Sequence, residues 1–203
     1  MFSRNGKTRA EKSPEGLDHD YAAEATLVPL GILNLQNNCT DIIFGTSNET
    51  SDFIVDGLAI WWSKNKISYS HIKELVINLD NGPSVSSNRT QFMRRIIEFS
   101  ESSGLVIRLV YYPPYHSKYN PVERCWSSLE RHWNGEILSS INKAINWAST
   151  MTWKGIKASV CMLDKIYDKG VSLTKKEMEK YLPQIQRSKY LPKWDVKILP
   201  RPG

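Results

Sequence analysis

Residues 75–112, LVINLDNGPSVSSNRTQFMRRIIEFSESSGLVIRLVYY, hold the pattern that decides the fold. Two short apolar runs, Leu75–Leu79 and Leu105–Tyr112, have the length and composition of strands that are covered on both faces. Between them lies an apolar face at helical spacing, formed by Phe92, Ile96 and Phe99. Strand, helix and strand in this order predict a βαβ unit whose two strands lie parallel.

The segments on either side extend this unit. Thr26–Leu35 and Cys39–Phe44 are apolar runs separated by the polar residues 36–38, which predicts a hairpin. A helical face follows, formed by Ile54, Leu58, Trp61 and Trp62. Beyond the unit, Asn120-Pro121 is suited to a helix start, because Asn is a good N-cap and Pro fits the first helical position.

Three more helices are predicted towards the C-terminus. The first covers 141–148 and the second covers 156–167, where Ile156, Val160, Leu163 and Tyr167 give the spacing. The third begins at Thr174, because Glu177 stands at the capping-box position. The fold class expected is α/β, a mixed sheet of ribonuclease H-like order flanked by helices, with its first strand missing and extra C-terminal helices.

The charge is unevenly distributed along the 203 residues. Lys plus Arg is 27 and Asp plus Glu is 21, which gives a formal net charge of +6. Residues 1–112 hold 11 basic and 13 acidic side chains, and residues 113–203 hold 16 and 8, so the two parts carry −2 and +8. This asymmetry suits a polyanion such as DNA, and a solvated basic surface without a partner is the alternative.

Several classes of protein are excluded by composition. No apolar run approaches the roughly 18 residues that a membrane span needs, and the first residues lack the apolar stretch of a signal peptide. The three cysteines are far apart and in no CxxC pair, so neither a disulfide framework nor a zinc ribbon is expected. We therefore expect a cytoplasmic protein with no membrane partner.

Two carboxylates are predicted to reach one edge of the sheet. Asp80 follows the strand Leu75–Leu79, and Glu123 opens the helix that comes after the next strand. Ligands of open α/β sheets bind outside the carboxyl ends of the strands. Carboxylates that converge there hold Mg²⁺ or Mn²⁺, and such ions stabilise the attacking and leaving oxygens in phosphodiester chemistry. The alternatives are a plain Asp-Asn-Gly turn at Asp80 and a Glu123 that only caps its helix.

The loop between the two carboxylates is rich in aromatic and cationic side chains. Aromatic rings stack on exposed bases, and cations pair with phosphates. The candidates for DNA contact are Tyr115, His116, Lys118 and Tyr119 in this loop and Arg124 directly after Glu123. The alternative is that the tyrosines pack and that the Pro-Pro pair only shapes the loop. We expect His116 to form a hydrogen bond in the loop rather than to act as a catalytic base.

Two stretches, LVINLDNGP and YYPPYHSKYNPVERCW, resemble the second-aspartate and glutamate motifs of bacterial insertion-sequence DDE transposases. The resemblance is to the Rhodopirellula-type transposase DDE family, which is related to the mariner-like superfamily. SDFIVDGLAIWW and MTWKGI resemble the same family, so the similarity runs over nearly the whole chain. It implies a ribonuclease H-like catalytic core, metal-assisted hydrolysis at the transposon end, and then attack of the freed 3′-hydroxyl on target DNA.

The resemblance also assigns residues. Asp80 matches the second catalytic aspartate and Glu123 the catalytic glutamate, which makes both of them ligands of Mg²⁺ or Mn²⁺. Lys118 and Asn120 match the motif around the glutamate and take positioning roles at the DNA. The first aspartate of the family stands upstream of the segment that FSRNGKTRAEK resembles, and Asp18 and Asp20 match a different segment.

The chain is therefore interpreted as an N-terminally truncated transposase. Residues 1–20 form an irregular polar arm, residues 21–135 a partial DDE catalytic core, and residues 136–203 a helical, basic extension. We expect a transposase-derived fragment with little or no activity of its own, so whether it is an enzyme stays open. The alternatives are a DNA-binding regulatory fragment without catalysis and an ordinary ribonuclease H-like nuclease. Transposon ends and target DNA are the expected partners, the expected location is the nucleoid, and a homodimer is one assembly that this chemistry allows.

Overall fold

The structure, a computed structural model, describes residues 26–113, 116, 119–134 and 138–201. The elements in chain order are β1 (Val28–Leu33), β2 (Thr40–Gly45), α1 (Ser51–Asn65), β3 (Glu74–Leu79), α2 (Thr90–Ser103), β4 (Val106–Tyr111), α3 (Pro121–His132), α4 (Ile141–Ala148), β5 (Thr152–Trp153), β6 (Ile156–Lys157), β7 (Ser159–Leu163), α5 (Lys175–Glu179), a 3-10 turn (Leu182–Gln184), β8 (Ile185–Arg187) and β9 (Asp195–Ile198). They fall into two compact units.

The first unit comprises, within the described residues, 26–47 and most of Val122–Lys165. β1 and β2 pair antiparallel, which confirms the predicted hairpin. Its turn closes by local hydrogen bonding, because the backbone N–H of Cys39 donates to the Asn37 side chain at 2.9 Å and Asn38 adopts a left-handed φ of 58°. On its other edge β2 pairs in parallel with β7, so the strand order is β1-β2-β7.

The core of the first unit lies between this sheet and its helices. Its buried side chains come from β2, α3, α4 and the segment before β7: Ile42, Phe44, Leu129, Ala148, Met151 and Ala158. Trp126 of α3 and Trp133, which directly follows α3, pack against them. All six residues of β2 are buried, and a strand buried throughout must satisfy its backbone groups on both edges.

The helix predicted over 156–167 is wrong. β5 and β6 form a tight hairpin, with Lys154 and Gly155 at positive φ (48° and 80°), and β7 follows as a strand. The apolar residues at helical spacing also suit an extended chain, and the open edge of β2 selects that conformation. Pairing between distant segments overrides local periodicity here.

The second unit comprises Asn48–Pro121 and the chain from Ile166 onward. β3 and β4 pair in parallel from Glu74 opposite Val106 to Leu79 opposite Tyr111, so the predicted βαβ unit is confirmed. α2 begins at Thr90 and ends at Gly104, whose φ of 70° provides the left-handed C-cap. Its buried face and the strands form the core: Phe92, Met93, Ile96, Ile97, Phe99, Ile107, Leu109, Val196 and Ile198.

The C-terminal chain completes the sheet of the second unit. β9 pairs antiparallel with β4 and β8 pairs antiparallel with β9, which gives the order β3-β4-β9-β8. The predicted C-terminal helices are therefore only partly right. α4 forms with Ser140 as its N-cap, and α5 forms with the predicted capping box of Thr174 and Glu177. Elsewhere in the described chain after residue 138, β7 joins the sheet of the first unit, β8 and β9 join the sheet of the second, and β5 and β6 pair with each other.

Two further expectations need correction. Instead of one mixed sheet, the described strands form two mixed sheets, β1-β2-β7 and β3-β4-β9-β8, and a separate two-stranded hairpin of β5 and β6. β3 is not covered on both faces, because Val76 is 49% exposed, and among the described residues β3 pairs only with β4. The architecture is mixed α/β with mixed sheets flanked by helices, consistent with a ribonuclease H-like fold. Across the described ranges, no helix combines the length and the apolar character needed to cross a membrane.

Candidate functional site

Asp80 begins the loop that leaves the carboxyl end of β3. The backbone N–H of Gly82 donates to Oδ1 of Asp80 at 3.0 Å, and Asn81 adopts a left-handed φ of 64°. A Cβ built on Gly82 would lie 3.3 Å from the same oxygen, so the turn fits closely around the carboxylate. The hydrogen bond to Oδ1 is the one expected of a plain Asp-Asn-Gly turn, so the structure confirms that turn. The Asp80 side chain nevertheless remains exposed, and a carboxylate has acceptor capacity beyond one hydrogen bond.

The loop that leaves β4 starts beside Asp80. The backbone N–H of Tyr112 donates to the carbonyl of Leu79 at 2.8 Å, so the two strands end level with each other. Parallel strands end at the same edge of a sheet, as the sequence predicted. Asp80 and the start of the aromatic loop therefore share the carboxyl edge of the second unit's sheet.

The tyrosines of this region divide into two kinds. Tyr111 is 4% exposed, and its hydroxyl donates to the carbonyl of Val85 at 2.8 Å. Burial raises the pKa of Tyr111 well above its usual value. Tyr119, in contrast, is 59% exposed. The packing interpretation is therefore right for Tyr111, while Tyr119 presents its ring to solvent.

His116 and Tyr119 form an aromatic pair in the loop. Their rings stack with centroids 5.7 Å apart and planes 21° from parallel. The backbone holds the pair, because the N–H of His116 donates to Pro113 at 3.1 Å and the N–H of Tyr119 donates to His116 at 3.0 Å. Of the other residues singled out in the loop, Tyr115 and Lys118 lie outside the described residues. Asn120 is half-buried and directly precedes α3.

Glu123 lies in the first turn of α3, as predicted, and is half-buried. A carboxylate is favoured there by the partial positive charge of a helix N-terminus. Arg124, the adjacent residue, is exposed. The hydroxyl of Ser127 donates to the backbone carbonyl of Glu123 at 3.1 Å, one turn further along the helix.

The position of α3 depends on a glycine that the sequence analysis overlooked. A Cβ built on Gly31 of β1 would come within 2.5 Å of the indole ring of Trp126. The absence of that Cβ lets the Trp126 ring lie directly on the strand. Cys125 is buried beside it, with Sγ 3.7 Å from Oγ1 of Thr40, and burial raises the pKa of the Cys125 thiol. Gly31 could have been noticed as a glycine inside an apolar strand pattern, which often marks a close approach.

The loop after Asp80 is also held by residues that the sequence did not indicate. The hydroxyl of Ser87 donates to the carbonyl of Lys193 at 3.0 Å, and the guanidinium of Arg187 donates to the carbonyl of Ser87 at 2.6 Å. These bonds tie the Asp80 loop to the β8–β9 hairpin. No local pattern could have found them, since the partners are about 100 residues apart.

Asp80 belongs to the second unit and Glu123 to the first, and each is placed within its own unit. In the part of the chain that the structure describes, no three His, Cys, Asp or Glu side chains form a group that could hold a metal ion. The chemistry of the two carboxylates fits a hard divalent cation, which binds through oxygen and commonly keeps water or substrate phosphate as further ligands.

Fold and residues together define a mixed α/β domain with a carboxylate at the carboxyl edge of a parallel strand pair. A sequence profile of the Rhodopirellula transposase DDE domain family matches residues 1–200, so the chain belongs to that family. No curated protein and no solved structure matches the chain. Family membership indicates a function related to transposition, with DNA as a partner, and a divalent metal is usual in such domains.

Proposed function

We propose that this chain is the catalytic part of a DDE transposase in which Asp80 and Glu123 are two of three metal-binding carboxylates. The observation that carries the proposal is the position of Asp80. Its exposed carboxylate directly follows β3 of a parallel βαβ unit, at the edge from which the loop to Glu123 departs. That edge is where open α/β sheets bind their ligands.

The residues would divide the work as follows. Asp80 and Glu123 would hold Mg²⁺ or Mn²⁺, and the metal when bound would supply Lewis acidity and neutralise charge on the phosphodiester. The stacked rings of His116 and Tyr119 offer an exposed aromatic surface to DNA bases. The other proposed contacts to the DNA strand are made by Asn120, Arg124, Lys118 and Tyr115.

We further propose that the described residues lack a strand that pairs with β3, and that without it they have little activity of their own. In the β3–β4 ladder, the carbonyls of Lys73 and Leu79 accept from β4. Parallel pairing uses alternate residues, so the backbone groups of Glu74, Val76 and Asn78 face the opposite side. Within the described residues no strand pairs there. β3 is thus an apolar parallel strand with one open edge. This open edge supports the proposal that a neighbouring strand is missing and that it carries the first catalytic aspartate.

A cleavage assay tests this proposal. The purified chain is incubated with DNA of its element ends and Mn²⁺, and the products are separated on a denaturing gel. We expect little or no cleavage, because two of three carboxylates make an incomplete site. Robust strand cleavage that Asp80→Ala or Glu123→Ala abolishes would contradict the proposed inactivity and would show that these carboxylates catalyse.

A DNA-binding regulatory fragment is the second candidate. The basic excess of residues 113–203 favours it. Binding through phosphate contacts should weaken steeply with salt, so DNA binding that is insensitive to salt, or absent, would count against it. A homodimer and a nucleoid-associated cytoplasmic location accompany either candidate as proposals.

A further inference from the structure

The β8–β9 hairpin carries a loop, residues 188–193, whose chemistry the site described above does not use. β9 runs antiparallel to β4, with Asp195 opposite Val110, and the backbone N–H of Tyr111 donates to the carbonyl of Trp194 at 2.9 Å. The start of β9 is therefore level with the end of β4. This places the hairpin loop at the same edge of the sheet as Asp80.

The loop exposes two large side chains, which is unusual for a surface turn. Tyr190 is 87% exposed and Leu191 is 54% exposed. Lys189 and Lys193 flank them and are also exposed, and among the described residues neither ammonium forms an ion pair. The loop thus exposes an aromatic ring and an aliphatic side chain between two ammonium groups.

The loop is held in one shape by its own hydrogen bonds. The guanidinium of Arg187 donates to the carbonyl of Pro192 at 2.9 Å, and the N–H of Leu191 donates to the Ser188 hydroxyl at 3.2 Å. The N–H groups of Trp194 and Asp195 both donate to the carbonyl of Leu191 at 3.0 Å. A loop fixed in this way loses little conformational entropy when a partner binds.

We propose that residues 188–193 form a DNA-contacting arm, in which the Tyr190 ring stacks on an unpaired base and Lys189 and Lys193 contact phosphates. This proposal rests on the proposed function, which supplies DNA as the partner. An exposed aromatic ring between two cations matches the two groups that single-stranded nucleic acid presents, a flat base and a charged backbone. The bonds from Ser87 to Lys193 and from Arg187 to Ser87 connect the arm to the loop that begins at Asp80.

The test measures binding of the full chain to a fluorescent single strand and to the matching duplex, by anisotropy over a range of salt concentrations. Tyr190→Leu should weaken single-strand binding about tenfold, because one stacking contact is lost, while Tyr190→Phe should bind like the unchanged chain. The duplex, which offers no unpaired base, should respond little to either change. Lys189→Ala with Lys193→Ala should lower the salt slope for the single strand by about 1.4, since two phosphate contacts are removed.

A matched control uses two other exposed lysines of the same unit. Lys175→Ala with Lys176→Ala, on α5, removes the same charge and should leave the binding of the single strand nearly unchanged. Thermal unfolding of every variant confirms that the fold is intact.

If the unchanged chain binds DNA but the arm variants match the α5 control, the arm proposal is overturned and the proposed function stands. If the unchanged chain fails to bind DNA even at low salt, both are overturned. A change in self-association with unchanged DNA binding would assign the loop to a protein contact and also overturn the arm.

Discussion

At the scale of single residues, the candidate site depends on a few close contacts that position its loops. The hydroxyl of Tyr111 reaches Val85 in the loop after Asp80, and the missing Cβ of Gly31 admits the ring of Trp126. Neither residue is a candidate for chemistry. Each fixes the backbone from which a proposed metal ligand projects.

Tyr111→Phe removes the hydroxyl that donates to the Val85 carbonyl. We expect a loss of about 1–2 kcal/mol in the free energy of unfolding, because a buried acceptor is left without its donor. Urea unfolding followed by tryptophan fluorescence measures it, and Tyr190→Phe, at a ring that is 87% exposed, is the control that should change little. Equal stability in the two variants would mean that the Tyr111 bond contributes nothing.

The raised pKa of Tyr111 adds a pH dependence. Burial favours the neutral phenol in the folded state, so its contribution to stability is complete below the unfolded pKa of about 10 and is lost as the pH rises through the higher folded value. The unchanged chain should therefore lose stability above about pH 10 relative to Tyr111→Phe. A constant difference across this range would contradict the burial argument.

Gly31→Ala places a methyl group into the space of the Trp126 ring. We expect a loss of about 1–3 kcal/mol, as for other overpacked sites. Trp126→Leu, a smaller side chain, should remove most of the penalty of the alanine, so the two changes should be strongly non-additive in a double-mutant cycle. Additive effects on the free energy of unfolding would show that the alanine destabilises the chain without a steric clash with the indole ring.

At the scale of elements, β9 stabilises the strand that leads into the aromatic loop. Arg108 of β4 donates two hydrogen bonds to the Asp195 carboxylate of β9, at 2.9 and 2.8 Å. This pair holds the pKa of Asp195 below its ordinary value, with the hydrogen bond from Arg108 as the largest cause. Because β9 carries the start of the hairpin loop at one end, the pair also fixes the base of the proposed arm.

Asp195→Asn tests this contact through its pH dependence. A carboxylate whose pKa is lower in the folded state contributes stability at pH values above its unfolded pKa of about 3.9. That contribution is lost as the pH falls through the lower folded value. The variant should therefore have a lower unfolding midpoint in urea at pH 7, and the gap to the unchanged chain should close below about pH 4. Asp168→Asn, which changes an exposed acid, is the control with no gap. A gap that stayed constant with pH would point to packing instead of charge.

The elements that could be predicted from the sequence are those whose signals are local. The hairpin, the βαβ unit and the capped helices each follow from a turn, a period or a capping residue within a few positions. β7 and β9 could not be predicted in this way, because their pairing with β2 and β4 is set by strands more than 80 residues away. Ile156, Val160 and Leu163 satisfy a helical period by coincidence, and only the open edge of β2 decides against it.

The candidate site was predictable to a similar degree. The positions of Asp80 after a strand and of Glu123 at a helix start could be predicted, because a strand end and a helix start are visible in the sequence. The Ser87, Arg187 and Lys193 contacts were not, since they join distant loops. The exposed Tyr190 lies in the proline-rich, basic tail, where a lysine–tyrosine–lysine spacing is weak without knowledge of the sheet edge it occupies.

At the scale of the whole molecule, some basic side chains of residues 113–203 form ion pairs with acids and others do not. Part of the basic excess is neutralised inside the second unit, where Lys197 pairs with Glu74 at 2.9 Å and Arg201 pairs with Glu101 at 3.0 Å. These pairs join acids from the first part of the chain to bases from the last. Lys189 and Lys193 form no such pair among the described residues. The +8 of residues 113–203 is therefore not uniformly available to DNA, and the hairpin loop is one place where it is.

The central claim is that Asp80 and Glu123 hold one divalent metal site, and Mn²⁺ binding to the full chain measures it most directly. Paramagnetic resonance of free Mn²⁺ gives the affinity without requiring turnover. Since losing even an outer partner of a metal ligand costs about 10- to 100-fold in affinity, Asp80→Asn and Glu123→Gln should each cost at least about tenfold. The double variant should lose at least as much affinity as either single one, while Asp168→Asn should bind like the unchanged chain. Mn²⁺ affinity that is the same in all of these proteins would contradict the claim.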